Sequence, residues 1–197
     1  MLFWLIICFI AWFLSAKLLN IPLIWLSEWV LGLISNGVID DVTMRSVGGT
    51  YQVVNQQFVI HTNIPPPGEQ PVFAVAMPLI YGYGLAMFAA MTLATPKPEN
   101  KKWRDIGIAY VVFLFVQLFG IMNKTFMDLV YHAPPEISNY FPLVQAHLDI
   151  LGTSYQISTL VMPPTVPLIL WILFNAPYME ALIGHKLVAT KTKRKRD

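Results

Sequence analysis

Long apolar stretches that are almost free of charge dominate this sequence. Residues 2–16 carry no charged side chain, and the later stretches 79–94, 106–122 and 157–176 carry none either. A helix that crosses a bilayer needs about 20 mainly apolar residues. Charged residues make up 12% of the chain, roughly half the share of about 25% that is usual in soluble domains. The sequence therefore excludes a disordered chain, a coiled coil and a basic nucleic-acid-binding domain, and predicts an integral membrane protein.

The apolar stretches predict four membrane-spanning helices. They are Leu2–Leu19, in which Lys17 extends to the far headgroups, Leu79–Ala94, which begins near Met77, Ile106–Met122, and Ile157–Ala176. Three prolines in the last stretch, Pro163, Pro164 and Pro167, predict a kink in that helix. A cleaved signal peptide is the alternative for the first stretch, but no basic residue precedes the apolar run, so a retained anchor is favoured.

A further apolar helix is predicted directly after the first span. Asn20-Ile21-Pro22 indicates a break and a restart, and Leu23–Ser35 then carries a thin polar stripe. Such a helix lies in the membrane interface or packs in the bundle. Aromatic side chains are expected to anchor the helices at the interface, namely Trp25, Trp29, Tyr81 and Tyr83.

The basic residues predict the orientation. The loop 95–105 and the tail 177–197 hold ten of the 13 basic residues against four acidic ones, whereas segments 36–77 and 123–156 hold two basic residues against six acidic ones. Short cytoplasmic loops carry an excess of Lys and Arg. Four spans then place both termini in the cytoplasm. The basic tail is expected to lie against anionic lipid headgroups, with no need for nucleic acid.

The predicted fold class is a mainly α membrane protein with four transmembrane helices and a small exported antiparallel β region. Residues 1–35 form the first span and the interfacial helix, and residues 36–77 form the exported β region. Residues 78–176 form a three-helix region with an exported loop at 123–156, and residues 177–197 form the cytoplasmic tail. Strands are expected at Val38–Val47, Thr50–Thr62 and Pro71–Ala76. Because three short strands cannot enclose a core, the sheet should lie on the membrane helices or on a partner.

Small residues recur every four positions on the second span, at Gly82, Ala86, Ala90 and Ala94. Such a ladder lets helices approach closely, within the bundle or against a partner's helix. Gly82, Ala86 and Ala90 are therefore partner-binding candidates.

One polar face follows the third span. Its members are Tyr110, Leu114, Gln117, Ile121, Lys124 and Asp128. Gln117 lies near mid-membrane, where a polar group needs a partner. One interpretation is an interhelical hydrogen bond and an ion pair between Lys124 and Asp128. The other is a polar seam that faces a partner or a substrate, which makes Gln117, Lys124 and Asp128 partner-binding candidates.

Residues able to do acid–base or metal chemistry are few. Asp128 and His132 are four residues apart, and Glu136 and His147 are predicted on the same side of the membrane. No HExxH motif is present, and the single Cys8 lies in an apolar run. We predict no catalytic residue, no metal site and no cofactor, and a membrane enzyme that uses Asp128, His132 and His147 is the weakest alternative.

The order of segments resembles a known family. An apolar hairpin-like stretch and a β region precede Pro78-Leu79-Ile80-Tyr81-Gly82-Tyr83-Gly84-Leu85. Next come a loop with Lys101-Lys102-Trp103-Arg104 and a span with Gln117 through Lys124. The last span follows Tyr155-Gln156 and ends with Trp171-Ile172-Leu173-Phe174-Asn175. This layout resembles the small exosortase H-associated membrane proteins of bacteria.

The resemblance implies a partner of an exosortase and not the enzyme itself. Exosortases are multispan, transpeptidase-like enzymes that process exported proteins bearing a C-terminal sorting helix, and they use Cys, Arg and His at the exported ends of their spans. In this chain Cys8 is predicted at the opposite side. The expected function is a non-enzymatic accessory subunit of the bacterial inner (plasma) membrane that contacts lipid and another integral membrane protein. A subunit of a transport or secretion complex is the alternative.

Overall fold

The computed structural model describes residues 2–46, 56–64, 72–132, 139–142, 144 and 147–183, and most of these residues are helical. The helices are α1 (Leu2–Leu19), α2 (Ile21–Ile34), α3 (Pro78–Ala94), α4 (Glu99–Met127), α5 (Leu148–Gln156), α6 (Met162–Phe174) and α7 (Ala176–Ile183), and the strands are β1 (Ile39–Ser46), β2 (Gln56–Thr62) and β3 (Phe73–Ala76). Asp128–His132 continues α4 as a π-helical turn, and Ile157–Val161 joins α5 to α6 in the same way.

The sheet has the antiparallel order β1-β2-β3. Phe58 of β2 pairs with Met44 of β1 and with Ala76 of β3. The inner side chains of the sheet, Phe58 and Ile60 among them, share one core with residues of α2 and α4. The expected strands are thus confirmed within the described residues, and the sheet lies on the helices. The predicted strand residues Val47, 50–55 and Pro71 lie outside the described residues.

Helix α3 lies at the centre of the bundle, where it packs against α1, α4 and α6. It runs antiparallel to α4, because Tyr81 lies against Gly120, whereas the ammonium of Lys102 donates a hydrogen bond of 3.2 Å to the carbonyl of Leu93. We call the end of the bundle that carries the strands the sheet end. The opposite end, with Lys97, Lys101, Lys102 and Arg104, is the basic end.

Helix α1 runs from the sheet end towards the basic end. Trp12 lies beside Gly82, which also faces Gln117 of α4. Seven residues later on α1, the carbonyl of Leu19 accepts a hydrogen bond of 2.9 Å from the hydroxyl of Tyr110. Tyr110 is about 10 Å closer to the basic end of α4 than Gln117 is. Helix α1 is therefore parallel to α3.

Helix α2 returns along α4 towards the sheet. It begins near Tyr110, and its end, with Ile34 and Ser35, lines a cavity together with Phe126. The backbone then turns through Asn36 and Gly37, which have φ values of 53° and 77°. Helices α1 and α2 thus form a hairpin whose tip is at Asn20.

This hairpin changes the predicted path of the chain. Helix α6 is also parallel to α3, since Pro163 lies beside Gly84 and the carbonyl of Phe174 accepts a hydrogen bond of 3.1 Å from Lys97. Leu2 therefore lies at the sheet end and Phe174 at the basic end. The prediction that both termini share one side counted no further crossing after the first span, and the structure differs because α2 returns along α4 to the sheet end.

Three helical segments of the described chain are long and apolar enough to cross a membrane, namely Leu2–Leu19, Glu99–Tyr131 and Leu148–Phe174. Helices α2 and α3 are apolar but shorter. The mainly α class is confirmed, whereas four spans are not. The third and fourth predicted spans are longer than expected, so much of the predicted loop 123–156 is helical. Because Pro163 and Pro164 have no N–H, the regular hydrogen bonding breaks in the π-helical turn that precedes them.

Candidate functional site

The polar face of α4 is directed into the bundle at Gln117. This side chain is 7% exposed and lies against Gly82, where a Cβ atom would collide with its amide nitrogen. Gly82 is itself buried, as are Ala86 and Ala90. The small residues therefore allow close packing between helices of this one chain, and a role in binding a partner stays a prediction.

The tyrosines at the start of α3 have different surroundings. Tyr81 is 2% exposed and lies across Gly120, where a Cβ atom would be 2.6 Å from a ring carbon. Tyr83 is half-buried. The structure thus places Tyr81 between α3 and α4, in the interior of the bundle.

Lys124 and Asp128 form an ion pair at the sheet end. Asp128 also accepts a hydrogen bond of 3.5 Å from the backbone N–H of Val75. The ion pair between Lys124 and Asp128 that the i, i+4 spacing predicts is present. Asp128 also links α4 to strand β3 through its hydrogen bond with Val75. A transport pathway would need the polar face of α4 to be open. This face instead contacts β3 at Asp128 and α3 at Gln117.

A second ionic cluster lies at the basic end. The carboxylate of Asp105 is 1% exposed and pairs with Lys97 and with Arg104, the latter at 3.0 Å. Lys97 also donates hydrogen bonds to the carbonyl of Phe174 and to the side chain of Asn175. The cluster fastens the α3–α4 loop to the end of α6. Sequence reasoning used these charges for orientation alone and missed this contact, since nothing local pairs Lys97 with Phe174.

Of the residues considered for an enzyme, the structure describes the side chains of Asp128 and His147. Asp128 is engaged with Lys124 and Val75, while His147 is exposed next to the start of α5. The side chain of His132 lies outside the described residues. Within the described ranges, no group of three His, Cys, Asp or Glu residues is placed to hold a metal ion. The free Cys8 is buried on α1.

The outer surface of the bundle is apolar on several helices. Only 11% of the residues of α1 and 17% of the best window in Leu148–Phe174 are buried inside the protein. On α2, Leu23, Ser27 and Leu31 are buried, whereas Trp25 and Trp29 are 74% and 68% exposed. Glu28 is exposed between them. Such surfaces must be covered by lipid or by another membrane protein.

Comparison with known families agrees with this architecture. A family model described as exosortase H-associated membrane protein matches residues 1–178. The chain belongs to this family. The family is described as one of membrane proteins, which agrees with the three helical segments that are long and apolar enough to cross a membrane. No curated protein and no solved structure matches the chain.

Proposed function

We propose that this exosortase H-associated protein is a non-enzymatic accessory subunit of the bacterial inner membrane. It binds an exosortase-like enzyme and supports the processing or sorting of exported proteins. The observation that carries the proposal is the family match over residues 1–178. The description of that family names both an association with exosortase H and a membrane protein. The exposed apolar helices supply surface for another membrane protein.

The non-enzymatic role is supported by the state of the polar residues. Lys124, Asp128 and Asp105 join helices and strands to one another, and Gln117 fills the space opposite Gly82. A general acid or base must reach a substrate with its titratable atoms. These side chains instead serve the packing of the chain itself.

We also propose how the chain lies in the membrane. Helix α3 is 17 residues and about 26 Å long, Tyr81 near its start lies across Gly120 of α4, and three other helices surround it. A length of 17 residues is at the lower limit for a span. Helix α3 is therefore a fourth span, and α2 is a shorter segment that returns the chain to the sheet.

The charges orient this arrangement. The basic end, with four Lys and Arg residues in the α3–α4 loop and the start of α4, faces the cytoplasm, and the sheet faces outwards. Lys17 lies near the tip of the α1–α2 hairpin, which is directed towards the cytoplasm. The C-terminal tail is then cytoplasmic, while Leu2 lies on the outer side.

Affinity purification tests the accessory role. The full chain, tagged at its C-terminus and expressed in its native host, is extracted in mild detergent, and co-purifying membrane proteins are identified by mass spectrometry. We expect an exosortase-like enzyme to co-purify. Capture of a transporter or secretion component without such an enzyme would contradict the proposal and favour the alternative.

A further inference from the structure

The outer face of α2 combines two tryptophans with one carboxylate. Trp25, Glu28 and Trp29 are exposed, whereas Leu23 and Leu31 on the opposite side pack into the core. We call these three exposed residues the Trp–Glu face. A lipid-facing helix is normally apolar on this side, so the carboxylate needs a physical reason.

Glu28 lies halfway along a helix that returns through the bundle. Helix α2 begins where Leu19 meets Tyr110 and ends where Ser35 approaches Phe126. Between these two points α4 is apolar up to Met122 except for Gln117, and the polar residues Asn123, Lys124 and Thr125 follow close to the end of α2. Glu28 is therefore at the depth of the middle of α4, near Leu118, and about 10 Å from either end of α2.

A carboxylate that faces hydrocarbon is costly unless another group pairs with it. In the described part of the chain, no ion pair or hydrogen bond engages Glu28. Lys17, the nearest basic residue along the sequence, makes no ion pair with it either. The missing counter-charge must then come from outside the described chain.

We propose that the Trp–Glu face binds a membrane-spanning helix of the partner enzyme, with an Arg or Lys side chain of that helix paired to Glu28. The identity of the partner rests on the proposed function. A guanidinium or ammonium group placed between Trp25 and Trp29 gains cation–π contacts in addition to the ion pair. Tryptophan is also among the residue types that contribute most of the binding energy at protein interfaces.

Two other occupants fit this face less well. Lipid chains offer no donor for the carboxylate at this depth. A second copy of this chain, docked by two-fold symmetry through the same face, would bring two Glu28 carboxylates together, and like charges at close range repel. A basic side chain on a different protein satisfies the charge without this repulsion.

Substitutions in the full-length protein test the proposal in native membranes. The amount of co-purified enzyme per tagged protein is compared for wild type, Glu28→Leu, Glu28→Gln and the double variant Trp25→Ala/Trp29→Ala. The matched control is Leu160→Ala, on a side chain that is 70% exposed on another part of the bundle. We expect Glu28→Leu and the double variant to lower the yield by about tenfold or more, Glu28→Gln to give an intermediate loss, and the control to change it by less than about twofold.

A thermal melt separates binding from folding. Since Glu28→Leu removes a charge from an apolar surface, the purified variant should unfold at the wild-type temperature or above it, while its capture of the enzyme falls. If the variant captured as much enzyme as wild type, the proposal would be overturned and the accessory role would stand. If wild type itself captured no exosortase-like enzyme, both would fail.

Crosslinking identifies the occupant directly. A photoreactive residue at position 25 should crosslink to the enzyme, and one at position 160 should not. A crosslink from position 25 to a second copy of this chain would overturn the proposal. Glu28→Arg should lose the enzyme, and reversal of the partner's basic residue to Glu should restore it.

Discussion

Gly84 of α3 lies against Pro163 of α6, so that a Cβ atom on Gly84 would be 2.7 Å from the carbonyl oxygen of Pro163. The same Cβ atom would be 2.6 Å from a ring carbon of Phe113 on α4. Three helices thus meet at one glycine. Since a backbone carbonyl cannot rotate away as a side chain can, this contact fixes the spacing of the central helices.

Gly84→Ala should therefore destabilise the bundle. Overpacking of this kind costs about 1–3 kcal/mol, and the backbone of α6 would have to move. Gly107→Ala is the matched control, because a Cβ atom at Gly107 meets nothing within 4 Å and alanine favours a helix. Thermal unfolding in detergent should show a lower midpoint for Gly84→Ala and an unchanged or higher one for Gly107→Ala. Equal midpoints for the two variants would contradict the close packing.

The buried Asp105 predicts a second stability effect. Asp105→Ala leaves the ammonium of Lys97 with only the neutral acceptors on Phe174 and Asn175. A loss of about 1–3 kcal/mol is expected, because removing one partner leaves a poorly compensated charge. Arg104→Ala should cost less than about 1 kcal/mol, since the Arg104 side chain is 64% exposed. Chemical denaturation of both variants checks this order, and a larger loss for Arg104→Ala would refute it.

The contact between Asp128 and Val75 predicts that the sheet is fastened to α4. Asp128→Asn weakens both this hydrogen bond and the ion pair with Lys124, at a cost of about 1 kcal/mol. Strand β3 should then open more often, which limited proteolysis or hydrogen exchange of residues 73–76 can detect. Asp40→Asn, on an exposed side chain of β1, is the control and should leave exchange unchanged. Equal exchange in the two variants would show that Asp128 does not hold the strand.

The direction of α1 predicts where its first residue lies. In a Cys8→Ser background, Leu2→Cys should react with a membrane-impermeant maleimide in intact spheroplasts. Lys101→Cys, at the basic end, should react only after the membrane is permeabilised. Labelling of Leu2→Cys only after permeabilisation would contradict the hairpin arrangement of α1 and α2.

Apolar runs and their breaks were enough to predict most helices and strands. The predicted span Leu2–Leu19 has the bounds that the structure has, because the break at Asn20-Ile21-Pro22 ends the first apolar run. The start of α3 at Pro78 agrees with the preference of proline for a first helical turn. The exit pair Lys124–Asp128 followed from i, i+4 spacing alone.

Contacts between distant segments could not be predicted in this way. The direction of α1 depends on Tyr110 and Leu19, which are 91 residues apart. Glu28 lies on a helix that the sequence predicts to be interfacial or packed in the bundle, and the sequence does not show that α2 returns along α4. The burial of Asp105 likewise depends on the position of α6.

Reconstitution in lipid vesicles tests the accessory role most directly. The purified enzyme, this protein and an exported substrate with a sorting helix are combined in all pairs and together, and processing is followed by the change in substrate mass. We predict no processing by this protein alone, processing by the enzyme, and a higher rate when both are present. Processing by this protein alone, or an enzyme rate that it does not change, would contradict the account.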